Sequence, residues 1–338
     1  MFIVFIGETE LAKIPGLSAA GADVNALPYT GPSDADVLYF GKPRCVNTIP
    51  VDPQGHPSPT VIAKAAIDEA HLPLCVACAG NSVNPACPFE KITENPGRDP
   101  RFGKAVADCD EIIRRSTELA EKLAPSLQKI VIGESVPGGT TTALLLLRVL
   151  GYNHTVSSAG PVNPLSLKEQ VWQRVSERLH TGIGGLKGRG YEAAEEVGDP
   201  MQIAVAAFVR ALPQEIEVTL AGGTQMLAVA ALLRDLGETR HLLVATTKYV
   251  YKDPTSCMDE YAKEIGCDVY WAPLDFSRSE RRGFAEYELG YIKEGVGMGG
   301  AVMYAVQNGV SIERIQERAE GLYDTLVENM EANFRKRI

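Results

Sequence analysis

The residues best placed to do chemistry lie between Lys129 and Gly151. Glu134 follows an apolar run, Ile130 to Ile132, and stands at the head of a loop carrying Pro137, Gly138 and Gly139. Thr140, Thr141 and Thr142 come next, and then an apolar helical stretch that ends at Gly151. A strand opening through glycines into a helix amino terminus is an anion site. The first N–H groups of the helix lack intrahelical partners, and its dipole favours negative charge. Gly138 and Gly139 let a phosphate approach the backbone, and the three threonines offer caps and hydroxyl donors. Glu134 is a carboxylate that anion binding does not require. Together they predict chemistry on a phosphorylated substrate.

Two further glycine turns repeat the theme. Gly222, Gly223 and Thr224 follow the apolar run Ile216 to Leu220 and precede another apolar helix, predicting a second helix amino terminus at the same sheet edge. Glu294 stands immediately before a third cluster, Gly295 to Gly300. A carboxylate among glycine backbone and apolar residues has its pKa raised towards neutrality, which suits a general base.

Other motifs fail on context. Gly133 and Gly138 have P-loop spacing, but Gly139 stands where the lysine belongs, so an NTPase is excluded. Thr181 to Gly190 resembles a dinucleotide fingerprint yet follows a helix instead of a strand. It reads as a mobile loop that closes over substrate or serves as a solvated hinge, with Lys187 and Arg189 within it. Cys75 and Cys78 sit three apart in a strand, facing opposite sides, with Cys87 nearby; no second Cys or His pair completes a metal site. The five histidines are dispersed. No metal and no cofactor is expected.

These groups need a scaffold. Continuous apolar runs at Ile3–Ile6, Val37–Phe40, Leu74–Ala77, Ile130–Ile132, Ile216–Leu220, Leu242–Thr246 and Val269–Ala272 predict strands buried on both faces. The fold class is therefore α/β, a mostly parallel, Rossmann-like sheet with helices on both faces, plus a smaller lobe built from the termini. Helices are expected within Asp99 to Leu123, from Ser166 with a Ser166–Glu169 capping box, from Asp199-Pro200, from Gln225 to Leu236, and from Ser311 to about Phe334. The Pro-rich stretch Pro50 to Pro59 with the region near Asn84–Pro100, and the glycine- and charge-rich Thr181 to Asp199, are candidate divisions. The organisation expected is an α/β segment over 1–100 contributing to the sheet and small lobe, a core domain over 101–310 carrying the glycine turns, and a terminal helix over 311–338.

A chain of 338 residues with 45% apolar and 22% charged residues is ordinary for a globular protein. A net charge of −10 without a basic run argues against nucleic acid and anionic membranes as partners. The apolar start, Met1 to Ile6, is too short for a signal peptide and reads as the first strand. Seven scattered cysteines predict reduced thiols and a cytoplasmic location.

With these residues on the page, Val131 to Thr142 resembles the Gly-Glu…Gly-x-Thr-Thr motif of nicotinate-nucleotide–dimethylbenzimidazole phosphoribosyltransferases. Ala221 to Ala228 is similar to that family's second glycine turn, and Lys293 to Gly297 to its carboxyl-terminal Glu-Gly-x-Gly motif. The order is the family's, the span about Gln128 to Val306, and the likeness strongest to a divergent archaeal-type branch. The resemblance implies transfer of ribose 5-phosphate from nicotinate mononucleotide to a benzimidazole nitrogen, giving an α-ribazole phosphate for the lower loop of cobalamin. It implies a cofactor-free homodimer acting on small molecules. It implies that Glu294 is the general base, Glu134 the second active-site carboxylate and Lys168 a phosphate contact. Ser135 to Pro137 departs from the bacterial pattern, and the bacterial base-pocket residues have no clear match. Another acceptor (adenine or a phenol), hydrolysis of the nucleotide, and a non-catalytic nucleotide-binding protein remain the alternatives.

Overall fold

The computed structural model describes residues 1–18, 24–48, 50–52 and 54–335. Residue 53 of the Pro-rich stretch and 336–338 of the terminal segment lie outside the described residues.

Seven strands form one parallel sheet: β1 Phe2–Ile6, β2 Leu74–Ala79, β3 Glu90–Thr93, β4 Lys129–Ser135, β5 Glu217–Ala221, β6 Leu243–Thr247 and β7 Asp268–Ala272. Their order is β3-β2-β1-β4-β5-β6-β7. The register runs from Phe2 opposite Leu74 to Ile6 opposite Cys78 on one side, and from Phe2 opposite Val131 to Ile6 opposite Ser135 on the other. The chain builds outward from β1 in one direction, then returns to add β4 to β7 in the other. This reversal between β1 and β4 leaves a crevice beyond their carboxyl ends, where parallel sheets collect ligands.

Thirteen α-helices are described: α1 Thr30–Phe40, α2 Pro59–Glu69, α3 Cys109–Leu123, α4 Gly139–Leu150, α5 Leu165–Leu179, α6 Gly190–Val197, α7 Pro200–Ala211, α8 Thr224–Asp235, α9 Lys248–Tyr251, α10 Met258–Ile265, α11 Arg282–Ala285, α12 Met298–Gln307 and α13 Ile312–Arg335. Two apolar cores result. Ile3, Phe5, Ile130 and Ile132 meet α3, α4, α7 and α8 on one face. Phe2, Val4, Ile6 and Val131 meet α1, α2, α12 and α13 on the other. Alternate residues of one strand thus enter different cores, so β1 and β4 are apolar without interruption. Helices from both chain ends share the second face.

Two local expectations need correction. Val37–Phe40 is the last turn of α1, not a strand: Asp34 and Asp36 are buried on the same helix and hide its apolar period, and Gly41 ends it in the left-handed region at φ 75°. Helix α5 starts at Leu165 without a side-chain cap, and Glu169 pairs with Arg148 at 2.7 Å, so the Ser166–Glu169 box does not form. Asp199 caps α7 as its sequence suggests, with Gln202 completing the box.

One close approach holds the two faces together. A Cβ on Gly133 of β4 would stand 2.6 Å from the Val296 carbonyl oxygen and 2.9 Å from the Phe2 ring. Only glycine lets the segment before α12 lie on the strand. We expect Gly133→Ala to cost about 1–3 kcal/mol through overpacking. Urea unfolding checks this, and an unchanged midpoint would show that the contact carries no constraint.

Candidate active site

A cavity of about 520 Å³ opens at the carboxyl ends of β1 and β4. It is lined by the β4–α4 turn, the start of α1, Val46, Thr48, Pro50 to Asp52, the start of α2, Ser158 and Ala159, Ile292, and Glu294 to Val296. That size suits a nucleotide-sized ligand.

The β4–α4 turn supplies Glu134 to Thr140 to the lining. Gly138 is the N-cap of α4 at φ 81°, a conformation that favours glycine, and no side chain caps the helix. The expected threonine cap is absent because Gly138 occupies its place. Thr140 borders the cavity, Thr141 is buried with its hydroxyl unpartnered, and Thr142 donates to the Gly139 carbonyl at 3.0 Å and to Asp199 at 2.5 Å. Gly139 gives its N–H to the Val136 carbonyl at 3.0 Å and Thr141 gives its own to Gly138 at 2.9 Å, so Thr140 is the first-turn residue that presents an N–H beside the cavity, a position that suits an anion.

The second and third glycine turns close on the first. A Cβ on Gly222 would lie 3.4 Å from Glu134 Oε1, and one on Gly223 would lie 4.0 Å from Glu294 Cβ. Gln225 packs against Gly139 and reaches the cavity, whereas Gly222, Gly223 and Thr224 lie behind its lining. Val296 donates its N–H to the Glu134 carbonyl at 2.9 Å. Val296 itself sits at φ 60° and Gly297 at φ 73°. A β-branched residue in the left-handed region is strained by about 1–3 kcal/mol, and such strain persists where the surroundings enforce it.

That strained turn aims Glu294 at the start of α12. Its carboxylate accepts the Gly295 N–H at 3.1 Å and the Gly299 N–H at 3.2 Å. Burial nevertheless dominates and pushes its pKa up to about 8, against the lowering effect of those N–H groups. Glu134 is 2% exposed. Burial first, then the charges of Glu294 and Asp199, raise its pKa well above the ordinary carboxylate value.

Lys168 takes a different place. It is fully buried, donating to the Ser157 carbonyl at 2.7 Å and to Asn163 Oδ1 at 3.0 Å. Burial lowers its pKa to about 7. It does not line the cavity but fastens the 157–163 segment, which contributes Ser158 and Ala159 to the wall. The 181–190 loop is not a lid over this site: Gly184 and Leu186 donate N–H groups to Arg148 and Val149 at the opposite, carboxyl end of α4. Arg189 pairs there with Glu192.

Several groups were not singled out from sequence. Asp34 of α1 is buried at the cavity wall and accepts the Ser135 hydroxyl at 2.7 Å. Burial raises its pKa. Asp52 also lines the wall, held by its own loop N–H groups and by His56, whose other ring nitrogen lies 2.7 Å from Glu286. Buried Asp199 joins α7 to α4, with its pKa raised to about 6 by burial. Buried polar residues with distant partners leave no local signal. Four carboxylates but no Lys or Arg stand among the described lining residues. Among the described residues no group of three or more His, Cys, Asp or Glu side chains is placed to hold a metal ion. Cys75 packs towards one core and Cys78 lies in the other.

Comparison with solved structures places the fold. A nicotinate-nucleotide–dimethylbenzimidazole phosphoribosyltransferase from Thermus thermophilus superposes with a TM-score of 0.60 at 17% identity, over 93% of this chain and 82% of that one. A structure of CobT from the same organism gives 0.58 at 17% identity, over 92% of this chain and 83% of that one. No family model matches the sequence. Among curated proteins, a UPF0284 protein of Pyrococcus furiosus is 44% identical over 97% of this chain and 99% of its own length. One from Thermococcus kodakarensis is 45% identical, over 97% of this chain and 98% of its own. A more distant one, from Methanosarcina acetivorans, is 37% identical over 95% and 93%. At that identity and coverage, the chain belongs to the UPF0284 family.

Proposed function

We propose that the cavity transfers ribose 5-phosphate from nicotinate mononucleotide to a ring nitrogen of a benzimidazole-type base, giving an α-ribazole 5′-phosphate of the kind used in the lower loop of cobalamin. One observation carries this reading. Two carboxylates, the buried Glu134 and the half-buried Glu294, border the same cavity as the amino terminus of α4, which no side chain caps. The shared fold with the Thermus phosphoribosyltransferase supports it.

The chemistry follows from these groups. The backbone N–H of Thr140, at the amino terminus of α4, holds the 5′-phosphate. Lys168 serves at one remove, by fixing the Ser158 wall. A neutral azole carries one nitrogen lone pair and one N–H. As the first attacks C1′, Glu294 removes the proton from the other, so the product stays neutral. Nicotinate departs from a glycosyl pyridinium with the bonding electron pair and needs no protonation. Attack from the face opposite the leaving ring inverts C1′ from β to α. Positive charge developing on the ribose meets carboxylates instead of cations. Apolar Val46, Val51, Pro59 and Ile292 offer a surface for a flat ring. The assembly this reading carries is a cytoplasmic homodimer.

Incubation with nicotinate mononucleotide and benzimidazole is expected to release free nicotinate and an α-ribosyl product; neither appearing with any azole would sink the reading. Glu294→Gln is expected to bind the nucleotide while its kcat drops roughly 10²- to 10⁴-fold, the usual worth of a general base. Because the carboxylate form of Glu294 is the active one, activity is lost as pH falls, with a rising limb centred near 8 in the kcat/KM profile. A flat profile between pH 6 and 9 would remove Glu294 from the proton transfer.

A further inference from the structure

The wall around Asp34 has a property that general base chemistry does not use. Asp34 Oδ1 accepts the hydroxyls of Ser58, at 3.2 Å, and Thr60. Oδ2 accepts the hydroxyl of Ser135 at 2.7 Å. Ser58 Oγ also lies 2.9 Å from Thr60 Oγ1, where either hydroxyl can be the donor, so each hydroxyl's single proton is committed to Asp34 or to its neighbour. Ser58 Oγ also takes the Thr60 N–H at 3.3 Å. Asp34, Ser58 and Ser135 all line the cavity. Facing the ligand, Ser58 and Ser135 therefore have only lone pairs left, and Asp34 Oδ2 has one acceptor position unused.

We propose that Asp34, Ser58 and Ser135 form an acceptor-only wall that selects a base carrying a hydrogen-bond donor, an amino group or second ring N–H, away from its nucleophilic nitrogen. This rests on the transferase reading and narrows its acceptor. The cavity is polarised accordingly. Helix α4, on one face of the sheet, offers N–H donors for phosphate, and α1, on the other, offers acceptors for the base. Tyr29 precedes α1 and Pro59 follows Ser58, so the same segments supply apolar surface for the ring. A base without a donor leaves these buried acceptors unpaired, which an alkyl group cannot remedy. The hydroxyl donors favour the carboxylate form of Asp34, the stronger acceptor, against burial, which raises its pKa. The transfer itself is unchanged. The ring nitrogen bonds to C1′, the bond to nicotinate breaks with its electron pair going to the pyridine nitrogen, and the acceptor's ring proton passes to Glu294. The amino group takes no part in the covalent step.

The test compares 5-aminobenzimidazole with 5-methylbenzimidazole, matched in shape and differing in the donor. Both binding, by calorimetry, and kcat/KM with nicotinate mononucleotide are measured. The wild-type protein is expected to favour the amino compound by roughly tenfold or more, the worth of a hydrogen bond to a charged acceptor. Asp34→Asn is expected to bring the ratio to about one or reverse it. Ser135→Ala, which deletes one wall acceptor, lowers the ratio as well and stands in if Asp34→Asn does not fold. A wild-type ratio near one, a ratio unmoved in both variants, or an effect confined to the KM for nicotinate mononucleotide overturns the proposal. The last outcome would assign Asp34 to the ribose hydroxyls. A binding preference for the amino compound without nicotinate release upholds the wall and sinks the transferase reading instead.

Discussion

Two carboxyl groups held out of water beside one another constrain nearly everything at the carboxyl end of this sheet. Burying Glu134 and Glu294 together is unfavourable for both charges, and the structure answers with backbone, not with cations. Gly295 and Gly299 turn their N–H groups onto Glu294, and Val296 ties its N–H to the Glu134 carbonyl. For those bonds to form, the turn before α12 must lie directly on β4, so Gly133 has no side chain there. The same demand drives Val296 into a left-handed conformation. Each feature looks arbitrary alone. Together they hold a carboxylate whose pKa burial raises to about 8 among backbone N–H donors.

A second layer keeps that arrangement rigid. Asp199, capping α7, receives the Thr142 hydroxyl of α4 and so fixes the helix whose amino terminus borders the cavity. Lys168 gives its ammonium to the Ser157 carbonyl and Asn163. Burial lowers its affinity for the proton, against the opposing charge of Asp253. His56, stacked on Tyr291 at 4.4 Å and set between Asp52 and Glu286, binds the 50–58 loop to the segment leading into Glu294. Both ends of the chain are thereby committed to one cavity.

Much of the fold was legible because burial on both faces writes itself as uninterrupted apolar runs. Six of the seven strands lie on such runs. The edge strand β3, Glu90–Thr93, is short and half polar, so no run marks it. Val37–Phe40 misleads for the converse reason: the helix turns buried Asp34 and Asp36 inward, and their partners supply what apolar residues normally would. The glycine turns and the two glutamates were readable because glycine next to a strand end has few other uses. Asp34 was not, since Ser135 lies 101 residues away and Ser58 lies 24 away. Lys168 stands in the first turn of a helix, where sequence logic expects an anion, but a carbonyl from the preceding loop arrives first.

The lining also bears on how a ligand arrives. With no Lys or Arg among the described lining residues and a chain charge of −10, nothing around the mouth draws in an anion from a distance. On the proposed reading, a phosphorylated ligand diffuses against the field until it meets the amino terminus of α4. Added salt, which slows capture in proteins that steer anions with basic funnels, screens this repulsion and quickens encounter here.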